Sequence, residues 1–85
     1  MIHHTSKSFW EFYSKLPLNI QKTADRNFEI LKSNPQHPSL HFKLIGNYYS
    51  VRISNKYRAL GIAQNDNIIW FWIGSHTDYD NLING

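Results

Sequence analysis

The feature that most constrains this chain is a change of hydrophobic period near residue 35. Before it, apolar residues recur every three to four positions; after it, they alternate or run continuously over short stretches. The segment LNIQKTADRNFEILKS at 18–33 sets Ile20, Ala24, Phe28 and Leu31 on one stripe, with Ile30 alongside. Gln21, Lys22, Asp25, Arg26, Glu29 and Lys32 mostly face outward. Asn34-Pro35 stops this helix, and Pro38 keeps the following residues extended or turned. A sequence that moves from helical to strand period within 85 residues has the pattern of an α+β domain.

The residues before position 18 add a second, shorter helix. In SKSFWEFYSKL at 6–16, Phe9, Phe12, Tyr13 and Leu16 make one apolar stripe. Ser6 or Ser8 is placed to cap it, and Glu11 stands three residues after Ser8, as in a capping box. Pro17 ends this helix or begins the next, so an αα-hairpin is the expected opening unit. Met1 to Lys7 is polar and reads as a loose terminus, His3-His4 included.

Four strands are expected after residue 40. Leu40 to Ile45 is the first, and Gly46-Asn47 supplies a turn into Tyr48 to Ile53. There Tyr49, Val51 and Ile53 share one face, and Tyr48, Ser50 and Arg52 the other. Asn55-Lys56 connects to Tyr57–Ala63, and a polar turn at Gln64–Asn67 leads to Ile68–Ile73, apolar on both faces as an interior strand would be. Trp70 and Trp72 are expected on one face of that strand, in the core, with Phe71 opposite. Gly74 ends it, and SHTDYDNLING is read as a turn or a short helix around Tyr79 to Ile83. The expected fold is two N-terminal helices packed on one face of a four-stranded, mostly antiparallel sheet, a single domain over 1–85, with the other face partly open.

A chain of this length needs a dense core, and 41% apolar with 15% aromatic residues supplies it. The absence of cysteine excludes disulfides and thiolate metal sites. The longest apolar run, Ile68 to Ile73, is far short of a membrane span. No signal peptide is recognised, so a cytoplasmic protein without membrane association is expected. The formal charge is +3, and no acid occurs between Glu29 and Asp66, where Lys32, Lys43, Arg52, Lys56, Arg58, His37 and His41 lie. Gathered on a sheet, these residues give a positive field that attracts polyanions or an acidic protein segment. A solvated sheet face is the plainer alternative.

No phosphate loop, HExxH motif, carboxylate pair or nucleophile elbow occurs. What remains is a cationic, histidine-containing set. Arg52 lies mid-strand, Arg58 begins the next strand, His76 follows the interior strand, and Tyr79 is three residues on. Arginine matches phosphate oxygens, histidine moves protons near neutrality, and tyrosine donates a hydrogen bond or stacks on a base. Together they suffice for RNA cleavage by attack of the 2′-OH on the adjacent phosphorus, with no metal or other cofactor. Each also has a structural alternative: Arg52 as a solvated strand residue, Arg58 as an edge cap, His76 as a turn partner, Tyr79 as packing for the tail.

The ordered elements HPSLHFKLIGNYYSVRISNKYRAL and IIWFWIGSHTDYDNLI, after an opening helix pair, resemble the RelE/ParE toxin superfamily of bacterial type II toxin–antitoxin modules over nearly the whole chain. The resemblance implies a small α+β toxin bound by a cognate antitoxin. RelE-like members cut mRNA on the ribosome without a metal; ParE-like members poison DNA gyrase; a non-toxic, antitoxin-binding member is a third possibility. By resemblance, Arg52 stands at a sheet lysine that helps activate the 2′-OH, Arg58 at the arginine that contacts the phosphate, and His76 at an arginine near the leaving group. Ser50 replaces a second lysine. The family's C-terminal tyrosine falls at Leu82 unless Tyr79 takes its place. Arginine holds its proton too tightly to be a base at pH 7, so proton transfer is expected from His76 or His41. The expected catalytic set is Arg52, Arg58, His76 and Tyr79, with His41, Lys43, Tyr48 and Lys56 binding RNA around it and mRNA on the ribosome as substrate.

Overall fold

The computed structural model describes residues 2–84. It holds five strands and three α-helices: β1 (Ile2–Thr5), α1 (Lys7–Tyr13), α2 (Leu18–Ser33), β2 (Lys43–Ile45), β3 (Tyr48–Ser54), β4 (Tyr57–Gln64), β5 (Asn67–Ser75) and α3 (His76–Asn84), with a 3₁₀ turn at Pro38–Leu40. The strands form one sheet in the order β1-β5-β4-β3-β2. β2 to β5 make an antiparallel meander, and β1 pairs parallel to β5.

The expected α+β class and the helix at 18–33 are present, and the tail is helical through Asn84. Three expectations change. The polar terminus is a fifth strand: His3 Nδ1 accepts a hydrogen bond from Trp70 Nε1 at 3.1 Å, and the His3 ring stacks on the Trp70 indole. His4 Nε2 meets Asn67 Oδ1 at 3.1 Å. These histidines dock a strand, which a hydropathy pattern cannot show. The first meander strand is also shorter than expected, because Leu40 belongs to the 3₁₀ turn, where it is fully buried. Finally, the cap of α1 is Ser6, whose Oγ accepts from Phe9 N; Ser8 instead donates to Phe71 O at 2.8 Å. Glu11 therefore closes no capping box.

The helices α1 and α2 cover one face of the sheet. Phe9, Ala24 and Leu31 meet Val51, Ile53, Ala59, Ile68, Trp70 and Ile73 there. The opposite face carries a smaller cluster of Leu60, Trp72 and Tyr79, edged by Ile45, Phe71 and Ile83, and α3 lies over it.

A β-bulge divides the two tryptophans between these faces. Leu60 pairs with Trp72 and Gly61 with Trp70, which leaves Phe71 without a partner. One extra residue reverses the inside–outside alternation beyond it. Trp70 therefore stays in the helix-side core at 2% exposure, while Trp72 turns to the opposite face at 6%. The expectation that they share a face is corrected, and both are core. A glycine at 61 is needed here: a Cβ would lie 2.8 Å from Ile68 Cγ2 and 2.9 Å from Trp70 Cε3.

Candidate functional site

The face opposite α1 and α2 carries Lys43, Arg52 and Arg58 of the chain's nine lysines and arginines. On β3, Ser50 and Arg52 point to this side, because Val51 and Ile53 between and beyond them fill the helix-side core. The β3–β4 register sets Arg52 directly opposite Arg58, and the β4–β5 register sets Arg58 opposite Gly74. Arg52, Arg58 and Gly74 thus form one row across three strands. His76 starts α3 two residues past Gly74. Its backbone N–H donates to Lys56 O at 2.6 Å, which fastens the start of α3 to the β3–β4 hairpin beside the arginines.

Local chemistry fixes these positions. Ser75 caps α3, its Oγ accepting from Asp78 N at 3.1 Å. The Arg52 guanidinium donates to Asn55 Oδ1 in the hairpin turn. The Arg58 guanidinium donates to Ser54 O and, at 2.9 Å, to Tyr57 O. Both side chains are held by neutral acceptors. The ion pairs among the described residues, Lys32–Glu29 and His76–Asp80, include neither arginine.

Two like charges directly opposite on adjacent strands repel each other. Burial first, and the Arg52 charge second, push the Arg58 guanidinium below its ordinary value, with Tyr79 and Asp80 acting in the opposite direction. Arginine keeps its proton at neutral pH regardless. The shift reflects burial first and the neighbouring Arg52 charge second, and Tyr79 and Asp80 offset it in part. An anion with several oxygens, such as a phosphodiester, relieves that repulsion and offers acceptors to both forks.

Tyr79 is 7% exposed and packs on Leu60 and Trp72. Its Oη is 3.0 Å from Ser50 Oγ, which donates to it. Ser50, at 2% exposure, is buried and polar, and this bond satisfies it. The His76 ring lies 5.6 Å from the Tyr79 ring, and His76 Nδ1 is 3.0 Å from Asp80 Oδ2. Gly74 seats the Trp72 indole: a Cβ at this position would lie 2.5 Å from Trp72 Cζ2.

The expected RNA-binding residues are more scattered. Lys43 pairs with Ser50, so it stands on the same face of the edge strand β2. Tyr48 is half-exposed on this face, its ring 5.6 Å from that of Phe71. Lys56 lies in the hairpin turn. His41 is exposed, in the left-handed region at φ 45°, just before β2. Its ring makes no hydrogen bond, ion pair or ring contact with Arg52, Arg58 or His76 among the described residues. Leu82 is exposed at the rim.

Two hollows are formed, one under the helices and one that reaches Gly74 and Ser75. One of about 180 Å³ sits between α1, α2 and the sheet, bounded by Phe9, Tyr13, Phe28, Val51 and Trp70. A groove of about 610 Å³ runs between the α1–α2 connection and α3, bounded by Phe12, Pro17, Trp72, Asp78 and Leu82. Neither is lined by Arg52, Arg58 or His76. Small-molecule sites are concave and mostly apolar; the arginine row lies on a partly covered sheet face instead. No three His, Asp or Glu side chains gather as metal ligands among the described residues. No helix among them is long and apolar enough to cross a membrane.

Sequence reasoning missed Ser50 as the partner of Tyr79, and Asp80 as the partner of His76. The second was visible in principle, because His76 and Asp80 are four residues apart and share a face once the tail is taken as a helix. The first depends on which turn of α3 faces β3, which no spacing in the sequence encodes.

Comparison with known proteins agrees with this architecture. A family model described as a ParE-like toxin domain matches residues 18–81. The comparison with curated proteins gives no match. Among solved structures, the chain is similar to a chain of the RelB–RelE antitoxin–toxin complex from Methanococcus jannaschii, with TM-score 0.72 and 23% identity over 93% of this chain and 96% of that one. A copper-bound mutant toxin from Helicobacter pylori gives TM-score 0.70 and 20% identity over 92% and 97%. A chain of the intact E. coli RelBE toxin–antitoxin complex gives 0.65 and 14% over 86% and 93%. At these identities the structures show a shared fold, and the family model covers most of the sequence. The chain belongs to the ParE-like toxin domain family, and it shares its fold with toxin chains of RelE–RelB complexes.

Proposed function

We propose that this toxin is a metal-independent endoribonuclease that cuts mRNA on the ribosome and is held inactive by a cognate antitoxin. The observation that carries the reading is the cross-strand pair Arg52–Arg58, which has no carboxylate ion-pair partner among the described residues and lies beside the start of α3 at His76. Like charges opposite each other lower stability, so an anion that binds there gives the pair a purpose that folding does not.

In the reaction the 2′-oxygen attacks the adjacent phosphorus. The 2′-O–P bond forms, the P–O5′ bond breaks, and the products are a 2′,3′-cyclic phosphate and a 5′-hydroxyl. Arg58 and Arg52 hold the phosphoryl oxygens and stabilise the charge that builds on them. His76 transfers the proton, because neither guanidinium releases one at pH 7. Tyr79 retains a role beside His76: Ser50 supplies the donor to its oxygen, so its own O–H stays free to donate. Lys43, Tyr48 and Lys56 extend the contact along the strand, with His41 at its far edge. DNA lacks the 2′-hydroxyl and is a poor substrate by this route. The test is induced expression with mapping of RNA ends, with and without the product of a neighbouring antitoxin gene. Loss of cleavage in an Arg58→Ala, His76→Ala double variant is expected, and unchanged cleavage defeats the site.

A second reading, a gyrase-directed toxin, is favoured by Ser50. This position carries no cation and is occupied in bonding Tyr79. DNA breaks and altered plasmid supercoiling after induction, with mRNA intact, identify that activity instead.

A further inference from the structure

The His76–Asp80 pair lies outside the arginine row but next to it, and its geometry has a chemical consequence. Asp80 Oδ2 is 3.0 Å from Nδ1 of His76, not from Nε2. A carboxylate at neutral pH only accepts, so Nδ1 must carry the hydrogen. In the neutral ring the other nitrogen is then the bare acceptor. A free imidazole favours the opposite arrangement, with the hydrogen on Nε2. The two residues occupy the first and fifth positions of α3, which sets them on one face of the helix. The capped first turn and the His76 N–H to Lys56 O bond hold the backbone beneath them. Asp80 is also close enough to act on the Arg58 guanidinium, and it forms no ion pair with either arginine.

We propose that Asp80 is a positioning residue that biases His76 toward the Nδ1–H tautomer, leaving Nε2 as the proton acceptor of the ring. The use of that acceptor in RNA cleavage rests on the function proposed above; the tautomer itself does not. Side-chain exposures of 42% for His76 and 50% for Asp80 mean that water competes for the bond, so the preference is a shifted ratio rather than a locked state.

Long-range ¹H–¹⁵N NMR of the full chain, in the neutral-imidazole range, reads the tautomer directly. For the wild type, His76 Nδ1 is expected pyrrole-like and Nε2 pyridine-like. In Asp80→Ala the two exchange and Nε2–H becomes the majority form. Asp80→Asn keeps an acceptor oxygen and is expected in between. Indole N–H signals of Trp70 and Trp72 verify that each variant is folded. A wild-type ring with its hydrogen on Nε2, or a ratio unaffected by both substitutions, overturns the proposal. Cleavage is measured in parallel: if the wild type cuts RNA, Asp80→Ala is expected to cut roughly tenfold more slowly, with Asp80→Glu recovering part of the rate. If the wild type cuts no RNA but the tautomer responds as described, the nuclease reading fails and the positioning role stands.

Discussion

Arg58 illustrates how a single side chain connects fold and chemistry. It is anchored by the carbonyls of Ser54 and Tyr57, opposed by Arg52 and unmatched by any carboxylate ion pair among the described residues. Arg58→Ala is expected to lower cleavage about a hundredfold, as losing one donor to a developing oxyanion does, while slightly raising stability by removing the repulsion. Arg58→Lys keeps the charge, loses the fork, and should fall between; single-turnover cleavage and urea midpoints check both effects. His3 makes a separate prediction. Trp70 Nε1 is only a donor, so His3 Nδ1 must stay unprotonated to accept from it. Burial first, then the nearby His4 and Lys32 charges, holds His3 below its ordinary value of 6.5. The unfolded chain therefore takes up this proton more readily than the folded one. Stability is complete above about pH 6.5 and falls as the pH drops through the folded value. Urea midpoints at pH 7 and 5 should differ more for the wild type than for His3→Asn. Tyr13 acts at the other end of the scale. Burial and its bond to Asp25 at 2.7 Å raise it to about 12, from 10.0. The folded chain keeps this proton longer, so its contribution is intact below pH 10.0 and is lost as the pH rises through about 12. Tyr13→Phe should weaken the chain by about 1 kcal/mol at pH 7 and flatten that alkaline decline, measured by denaturation across this range.

Among the elements, those with a strong local period were legible and those made by distant partners were not. LNIQKTADRNFEILKS is a helix because its apolar stripe and its Asn34-Pro35 stop agree, and the structure keeps both ends of the reading. The meander follows from turn residues and alternation. β1 was not legible: IHHT carries no apolar pattern, and its partner β5 lies more than sixty residues away. The bulge at Phe71 was not legible either, because period cannot reveal where a register slips. It decides that Trp72, rather than Phe71 alone, roofs the face with Arg58. That gives a prediction for β5. Gly74→Val drives a branched side chain into the Trp72 indole, 2.5 Å from where Cβ would stand. The indole must move, and α3 rests on it through Tyr79. Overpacking of this kind costs about 1–3 kcal/mol. The expected result is a lower thermal midpoint together with lost cleavage, whereas Gly46→Ala, where a Cβ meets nothing within 4 Å, should leave cleavage intact despite backbone strain at its φ of +58°. The candidate site was legible in its cationic members, since Arg52, Arg58 and His76 were named from residue type and resemblance. Their supports, Ser50 under Tyr79 and Asp80 against His76, depend on how α3 sits on the sheet.

For the molecule as a whole, the division of labour follows the two faces of one sheet. Helices α1 and α2 bury the larger core on one side. The other side carries α3, the arginine row and the hairpin that fixes His76. A short chain bears an arginine row with no ion pair among the described residues because the helix-side core, with Trp70 and Leu31 nearly fully buried, stabilises the sheet from the other side. The open sheet edge of β2 and the exposed Leu44 and Leu82 leave room for a partner chain without disturbing this core. The most direct measurement is end-mapped cleavage of ribosome-bound mRNA by purified wild type and by the Arg58→Ala, His76→Ala double variant, with chelator present and folding verified. The account predicts new 2′,3′-cyclic phosphate ends with the wild type and almost none with the folded variant; equal cleavage by the two proteins would contradict it.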